Sequence, residues 1–182
     1  MSLLGNPMRI YTPEQCAKRC DELVALDERR LPLRDLGKPY RFRCDFPSKI
    51  SQLLWFARCI ESALQPRTSC LVWVTEWGVF PSGQNLHLFY RFRETYGDRR
   101  LLHEAPGHLC LEYESAEVVT LVHLGILFGW DVHLIPTAGY ARAFVSHHAW
   151  VDFGFDNDAG GRETARQLET GGLTVYEPVR EE

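Results

Sequence analysis

Three histidines and one aspartate in the last third of the chain carry the side chains best suited to chemistry. His133 lies on a predicted inner strand beside Asp131, and the pair His147 and His148 ends the strand predicted to pair with it. In a hairpin whose side chains alternate with period two, His133 and one of the pair can approach each other across the sheet, with Asp152 near in sequence. Two imidazoles and a carboxylate can bind a metal ion with open positions or exchange protons near neutral pH.

The same residues also have a purely structural interpretation. The histidines can cap the end of a sheet, half exposed, with their N–H groups bonded to backbone. Spacing alone fixes no common metal-ligand geometry, so the sequence favours this interpretation. The candidates for catalysis are His133, His147, His148 and Asp152. No residue is assigned as catalytic or as a metal ligand, and the cofactor is unknown.

A second candidate site follows the strand predicted over residues 70–75. Glu76 and Trp77 end this strand, and ligands of open α/β sheets bind beyond the carboxyl ends of the strands. A carboxylate and an indole there can frame a small ligand-binding pocket. The alternative is that Trp77 packs on a helix while Glu76 pairs with an arginine, and the general rarity of sites favours that alternative.

Common catalytic and nucleotide-binding motifs do not occur in this sequence. It contains neither G-x-G-x-x-G after a strand nor G-x-x-x-x-G-K-[ST], which are the usual phosphate-binding fingerprints. It also lacks the G-x-S-x-G elbow of many serine hydrolases. These absences exclude only the families that carry such motifs. No family resemblance is evident in the residues.

Composition and charge limit the partners. The formal net charge is -4 and the sequence pI is about 6.0, which argues against a nucleic-acid binder, since phosphate attraction requires clustered Lys and Arg. The most apolar run, 118–130, is too short to span a bilayer, and no signal peptide is apparent. We therefore expect a cytoplasmic protein with a protein or small-molecule partner. The oligomeric state stays open.

The cysteines fit the same compartment. The chain has 6 Cys, most of them in apolar segments where Cys behaves as a small buried hydrophobe. Cys16 and Cys20 are four residues apart on a predicted helix, without the C-x-x-C spacing of redox or zinc sites. We expect free, structural thiols.

A very apolar helix beginning at Ser115 is the predicted centre of the fold. Ser115 is its expected N-cap and Gly129 its left-handed end. An earlier helix begins with Thr12 as N-cap, Pro13 at the first position and Gln15 completing a capping box. Residues 85–96 fit both a helix and a strand, and their length and the following Gly97 favour a helix.

Alternating helices and strands predict a layered α/β or α+β domain. We expect a mixed sheet of roughly five strands, largely parallel and covered by helices, ending in an antiparallel hairpin. The single domain covers residues 1–155. A polar, Gly-rich C-terminal extension covers 156–182, with room for a short helix and a terminal strand.

Three functional hypotheses follow from these features. The first is a non-catalytic cytoplasmic binding or protein-interaction module, because every catalytic constellation has a structural alternative. The second is a small metal-assisted hydrolase that uses the His/Asp cluster at the end of the C-terminal hairpin. The third, which follows from net charge alone, is an acidic protein that neutralises a basic partner. The sequence does not decide whether the protein is an enzyme, and it favours a non-catalytic role.

Overall fold

The computed structural model describes residues 9–34, 36–77 and 86–177. Within these ranges, eight strands form one sheet in the order β1-β4-β3-β5-β6-β7-β2-β8. The strands are β1 (Arg9–Tyr11), β2 (Tyr40–Asp45), β3 (Ser69–Glu76), β4 (Gly107–Leu111), β5 (Asp131–Thr137), β6 (Ala141–Ser146), β7 (Trp150–Phe155) and β8 (Val175–Tyr176). The α-helices are α1 (Pro13–Cys20), α2 (Leu53–Ala63), α3 (Leu86–Glu94), α4 (Ser115–Phe128) and α5 (Asp158–Thr170).

The mixed helix-and-strand class is confirmed, but the predicted parallel core and the count of about five strands are wrong. Every pair of neighbouring strands in the described sheet is antiparallel. The helices carry the chain past intervening strands: α4 joins β4 to β5, and β3 lies between those two strands in the opposite direction. A helical connection therefore does not place its two strands side by side. The predicted closing hairpin is part of a meander, β5-β6-β7.

The strand β3 is covered on both of its faces, as its apolar sequence predicts. Because successive side chains alternate between faces, Val72 and Val74 join the large core that includes residues of α2, α4 and α5. Leu71 and Trp73 join a smaller core on the other face, together with Cys16 and other residues of α1. The middle of β3 is therefore packed between two layers, and the strand becomes exposed only at its end, at Glu76.

The helix α4 begins and ends close to the predicted residues. It runs from Ser115 to Phe128, and Gly129 takes the left-handed conformation with φ 64. The N-cap is Glu114 instead of Ser115, and its carboxylate accepts a hydrogen bond from the N–H of Leu111 at 2.8 Å. Leu127 is 48% exposed, so the helix is buried along most of its faces but not all of them.

Other local predictions are also confirmed. The capping box of Thr12 and Gln15 is present, and the ambiguous segment is the helix α3. All six cysteines are free and buried, and burial raises the pKa of Cys20 to about 12. No helix in the described ranges combines the length and apolar character needed to cross a membrane.

The residues assigned to a C-terminal extension contain α5 and β8. Leu168 of α5 is fully buried in the large core, and β8 pairs with β2. The division of the chain at residue 155 stays a prediction.

Candidate functional site

Two carboxylates meet where β3 and β5 end their pairing. Glu76 lies opposite Asp131, after an irregularity in register between Val74 and Glu76. A bulge of this kind re-aims the side chains that follow it. The sequence treats the end of β3 and the C-terminal hairpin as two separate candidate regions. In the structure they lie at the same end of neighbouring strands in the middle of the sheet.

The β6–β7 turn delivers His147 to the same place. Ser146 and Trp150 form the last strand pair, which leaves three residues, 147–149, in the loop. Ala149 has φ 67, the left-handed residue that ends a typical three-residue hairpin loop. The hydroxyl of Ser146 accepts a hydrogen bond from the N–H of His148 at 3.2 Å. The two histidines are thus held in a tight turn.

Hydrogen bonds fix His147 to Asp131. The Asp131 Oδ1 atom accepts from the backbone N–H of His147 at 2.8 Å, and the ring Nδ1 lies 2.8 Å from the same oxygen. A carboxylate only accepts hydrogen bonds, so Nδ1 carries the hydrogen. The Asp131 Oδ2 atom accepts from Arg34 Nη2 at 2.9 Å. The Asp131 side chain is only 3% exposed, and these partners compensate its buried charge.

The donor atoms of three residues converge. His147 Nδ1 lies 3.9 Å from Glu76 Oε2, and one ligand atom from each of Glu76, Asp131 and His147 lies within 4.8 Å of the other two. Ligand atoms on one transition-metal ion are bound at about 2.0–2.2 Å from it, so small side-chain movements bring all three into range. Imidazole and carboxylate together suit zinc and manganese.

His133 is a buried neighbour of this cluster. Its side chain packs against Phe144, with ring centroids 4.6 Å apart, and no hydrogen bond to its ring occurs within the described ranges. Burial lowers the pKa of His133 to about 3, although the negative charge of Asp131 acts in the opposite direction. The ring is therefore neutral at physiological pH.

The other predicted candidates are divided between this site and other parts of the sheet. His148 is exposed, and its ring centroid lies 4.0 Å from that of His147. Asp152 instead accepts two hydrogen bonds from Arg43, at 2.7 and 3.0 Å. It lies opposite Phe144 on the strand beyond β6, and Arg43 stacks over the Trp150 ring at 3.7 Å.

Trp77 faces the aromatic part of the core. Its ring lies 4.9 Å from that of Trp130 and 6.1 Å from that of Phe89 on α3. Its neighbour Glu76 is instead 51% exposed, beside His147. Sequence reasoning did not join Glu76 to the histidines, and it did not single out Arg34 or a ligand role for Asp131. The missing signal was the order of the strands.

Comparison with protein-family models, with curated protein sequences and with solved structures finds no match to this chain. The candidate site therefore rests on its own geometry.

Proposed function

We propose that the protein binds a divalent transition-metal ion through Glu76, Asp131 and His147, and that it is a small metal-assisted hydrolase. The observation that carries this proposal is the convergence of three donor groups, from β3, β5 and the β6–β7 turn, within 4.8 Å of one another. These residues are far apart in sequence. Their meeting is a property of the sheet and not of one local turn.

Charge supports the same proposal. Glu76 and Asp131 lie directly opposite each other, and like charges at opposite positions of neighbouring strands are destabilising. A cation bound between them removes that repulsion, and the neutral imidazole of a histidine is a common companion ligand. The partly buried position strengthens the attraction, because the effective dielectric constant is lower there than in water.

Hydrolysis is the reaction class that this donor set suits. A divalent ion at such a site supplies Lewis acidity to a carbonyl or phosphoryl oxygen. The reaction consumes one water molecule: its OH goes to the carbonyl carbon or phosphorus atom, and its proton goes to the leaving group. His148, exposed beside His147, is placed to give or take that proton.

A second function, a non-catalytic binding module, is favoured by the hydrogen bonds of Asp131. This carboxylate already accepts two bonds from His147 and one from Arg34, which is enough to hold the β6–β7 turn without an ion. Glu76 and His148 would then be exposed polar groups on a surface that contacts a protein or small-molecule partner.

Metal binding separates these two functions. Protein purified without chelators is analysed for bound metal and titrated calorimetrically with Zn²⁺ and with Mn²⁺. The site variants are Glu76→Gln and His147→Gln. The matched controls are Glu94→Gln, whose side chain is 51% exposed like that of Glu76, and His103→Gln, at an exposed turn. Circular dichroism verifies that each variant is folded.

We expect one ion per chain and an affinity at least about tenfold weaker in either site variant, since each removes one of three ligands. The controls should bind like the wild type. An ion bound at Nδ1 requires the tautomer whose hydrogen is on Nε2. Protons compete with the ion for the imidazole and the two carboxylates, so affinity should fall as the solution becomes more acidic. The metal site would be overturned if the wild-type protein binds neither ion, or if the site variants bind as tightly as the controls. The binding module would then be the remaining function.

A further inference from the structure

We infer that the ligand of this site carries an oxyanionic group, a carboxylate or a phosphate, and that Arg34 binds it. The inference deepens the proposed function and rests on it, because it assigns the substrate class of the same site. Its first support is the position of Arg34. Arg34 Nη2 donates to Asp131 Oδ2, while the other oxygen of that carboxylate bonds to His147. The Asp131 carboxylate therefore bridges the guanidinium of Arg34 and the imidazole of His147.

Within the described ranges, most of the hydrogen-bonding capacity of Arg34 is unused. A guanidinium has five N–H donors, and the bond to Asp131 is the only one that Arg34 makes to another side chain in the described ranges. The side chain is 54% exposed, so the remaining donors can reach a ligand from solvent. The guanidinium carbon lies 5.4 Å from the centroid of the Phe144 ring, which restricts its movement on the sheet side.

The charge balance of the occupied site favours an anion. Glu76 and Asp131 contribute two negative charges, Arg34 one positive charge and a divalent ion two, which leaves one net positive charge. An anionic group that bridges Arg34 and the ion would complete the balance, and such a position in a partly buried site strengthens its binding.

Arginine also has the right shape for this role. Its planar fork of N–H groups matches two oxygens of a carboxylate or phosphate, and charge-assisted hydrogen bonds of this kind are stronger than neutral ones. The substrates that fit are therefore esters, amides or phosphoesters with an anionic oxygen group next to the bond that is hydrolysed.

The test uses methylphosphonate as the oxyanion, followed by ³¹P NMR, with zinc-loaded and metal-free full-length protein. Arg34→Met removes the guanidinium and keeps an apolar side chain over Phe144. Arg43→Met is the matched control, because Arg43 is also a half-exposed arginine that pairs with an aspartate beside an aromatic ring. Acetate serves as a competitor, which tests whether the site accepts a carboxylate. Zinc affinity of each variant is measured calorimetrically.

We expect Arg34→Met to bind methylphosphonate at least about tenfold more weakly than the wild type, while Arg43→Met binds it within about twofold. Zinc binding should be retained in Arg34→Met, since the substitution removes a cation that competes for Asp131. Displacement of methylphosphonate by acetate would support a carboxylate ligand, and failure to displace it would support a phosphate.

The two proposals fail in different ways. Suppose that zinc binds, and that the wild type and Arg34→Met bind methylphosphonate equally well or do not bind it at all. Either result overturns the oxyanion inference and leaves the metal site. Absence of zinc binding overturns the proposed function. If zinc does not bind, methylphosphonate binding to the metal-free protein that is lost in Arg34→Met would still support the oxyanion position. In that same case, no methylphosphonate binding would overturn both proposals.

Discussion

Glu76 and Asp131 face each other across β3 and β5 at the last pair of the register, although 55 positions separate them in the chain. Asp131 is buried and bonded to Arg34 and His147, whereas Glu76 is half exposed. Two carboxylates at directly opposite positions repel each other. A cation bound between them would remove this repulsion, so the predictions about stability begin with this pair.

Neutralising Glu76 should stabilise the metal-free protein. In Glu76→Gln the repulsion from Asp131 is removed, so the free energy of unfolding should rise by about 0.2–1 kcal/mol. Urea denaturation in the presence of EDTA measures the change. The control Glu94→Gln removes an exposed ion pair with Arg99 and should lower the free energy of unfolding by about 0–1 kcal/mol. Equal losses in both variants would contradict the repulsion between Glu76 and Asp131.

Neutralising Asp131 should destabilise the protein. Asp131→Asn keeps one oxygen for the N–H of His147 but loses the charge that binds Arg34. We expect a loss of about 1–3 kcal/mol in urea denaturation and faster hydrogen exchange of the His147 amide. Asp152→Asn removes an ion pair with a half-exposed partner, Arg43, and should cost about 0–1 kcal/mol. An unchanged His147 amide in Asp131→Asn would show that this aspartate does not hold the turn.

Stability should fall as the pH decreases from 6.5 towards 3. Burial lowers the pKa of both His108 and His133 to about 3, so the folded protein keeps both rings neutral while the unfolded chain takes up protons near pH 6.5. Stability is therefore fully present above pH 6.5 and declines below it. Each histidine contributes about 1.4 kcal/mol per pH unit. Urea denaturation at pH 7, 6 and 5 measures the slope.

Replacing His108 isolates one of these two contributions. His108 is fully buried, and the effect of burial on its pKa outweighs the opposing effect of the Val72 and Pro106 backbone, so His108→Leu removes this titration. The slope between pH 6 and pH 5 should decrease by about 1.4 kcal/mol per pH unit. The exposed His103→Leu should leave the slope unchanged. Equal slopes in wild-type and His108→Leu protein would mean that His108 does not stay neutral.

Contact between α1 and β4 should make Gly107→Ala destabilising. A Cβ atom at Gly107 would overlap Cys16 Sγ and approach Leu71 Cδ1 at 3.4 Å. Overpacking of this kind costs about 1–3 kcal/mol. Cys16→Ala makes room, so the double variant should be more stable than the sum of the single effects by at least about 0.5 kcal/mol. The double variant with Cys20→Ala should be additive, and a coupling of equal size there would contradict the specific overlap.

Local sequence features determined where several elements begin and end. The capping box at Thr12, the glycine that ends α4 and the apolar run of β3 act through neighbouring residues of the same element, so they can be read without the rest of the chain. The same holds for the candidate residues as chemical types. His147 was recognisable as a group able to bind a metal or exchange protons, and Glu76 as one able to line a ligand pocket.

Only the tertiary structure decided which of these groups meet. The strand order places β3 beside β5, and that neighbourhood joins Glu76 to Asp131 and His147 while Asp152 pairs with Arg43. Strand order and direction depend on how the two faces of the sheet are covered by helices from distant parts of the chain. That covering results from the packing of the whole core, so the hydrophobic periodicity of a single segment does not predict it.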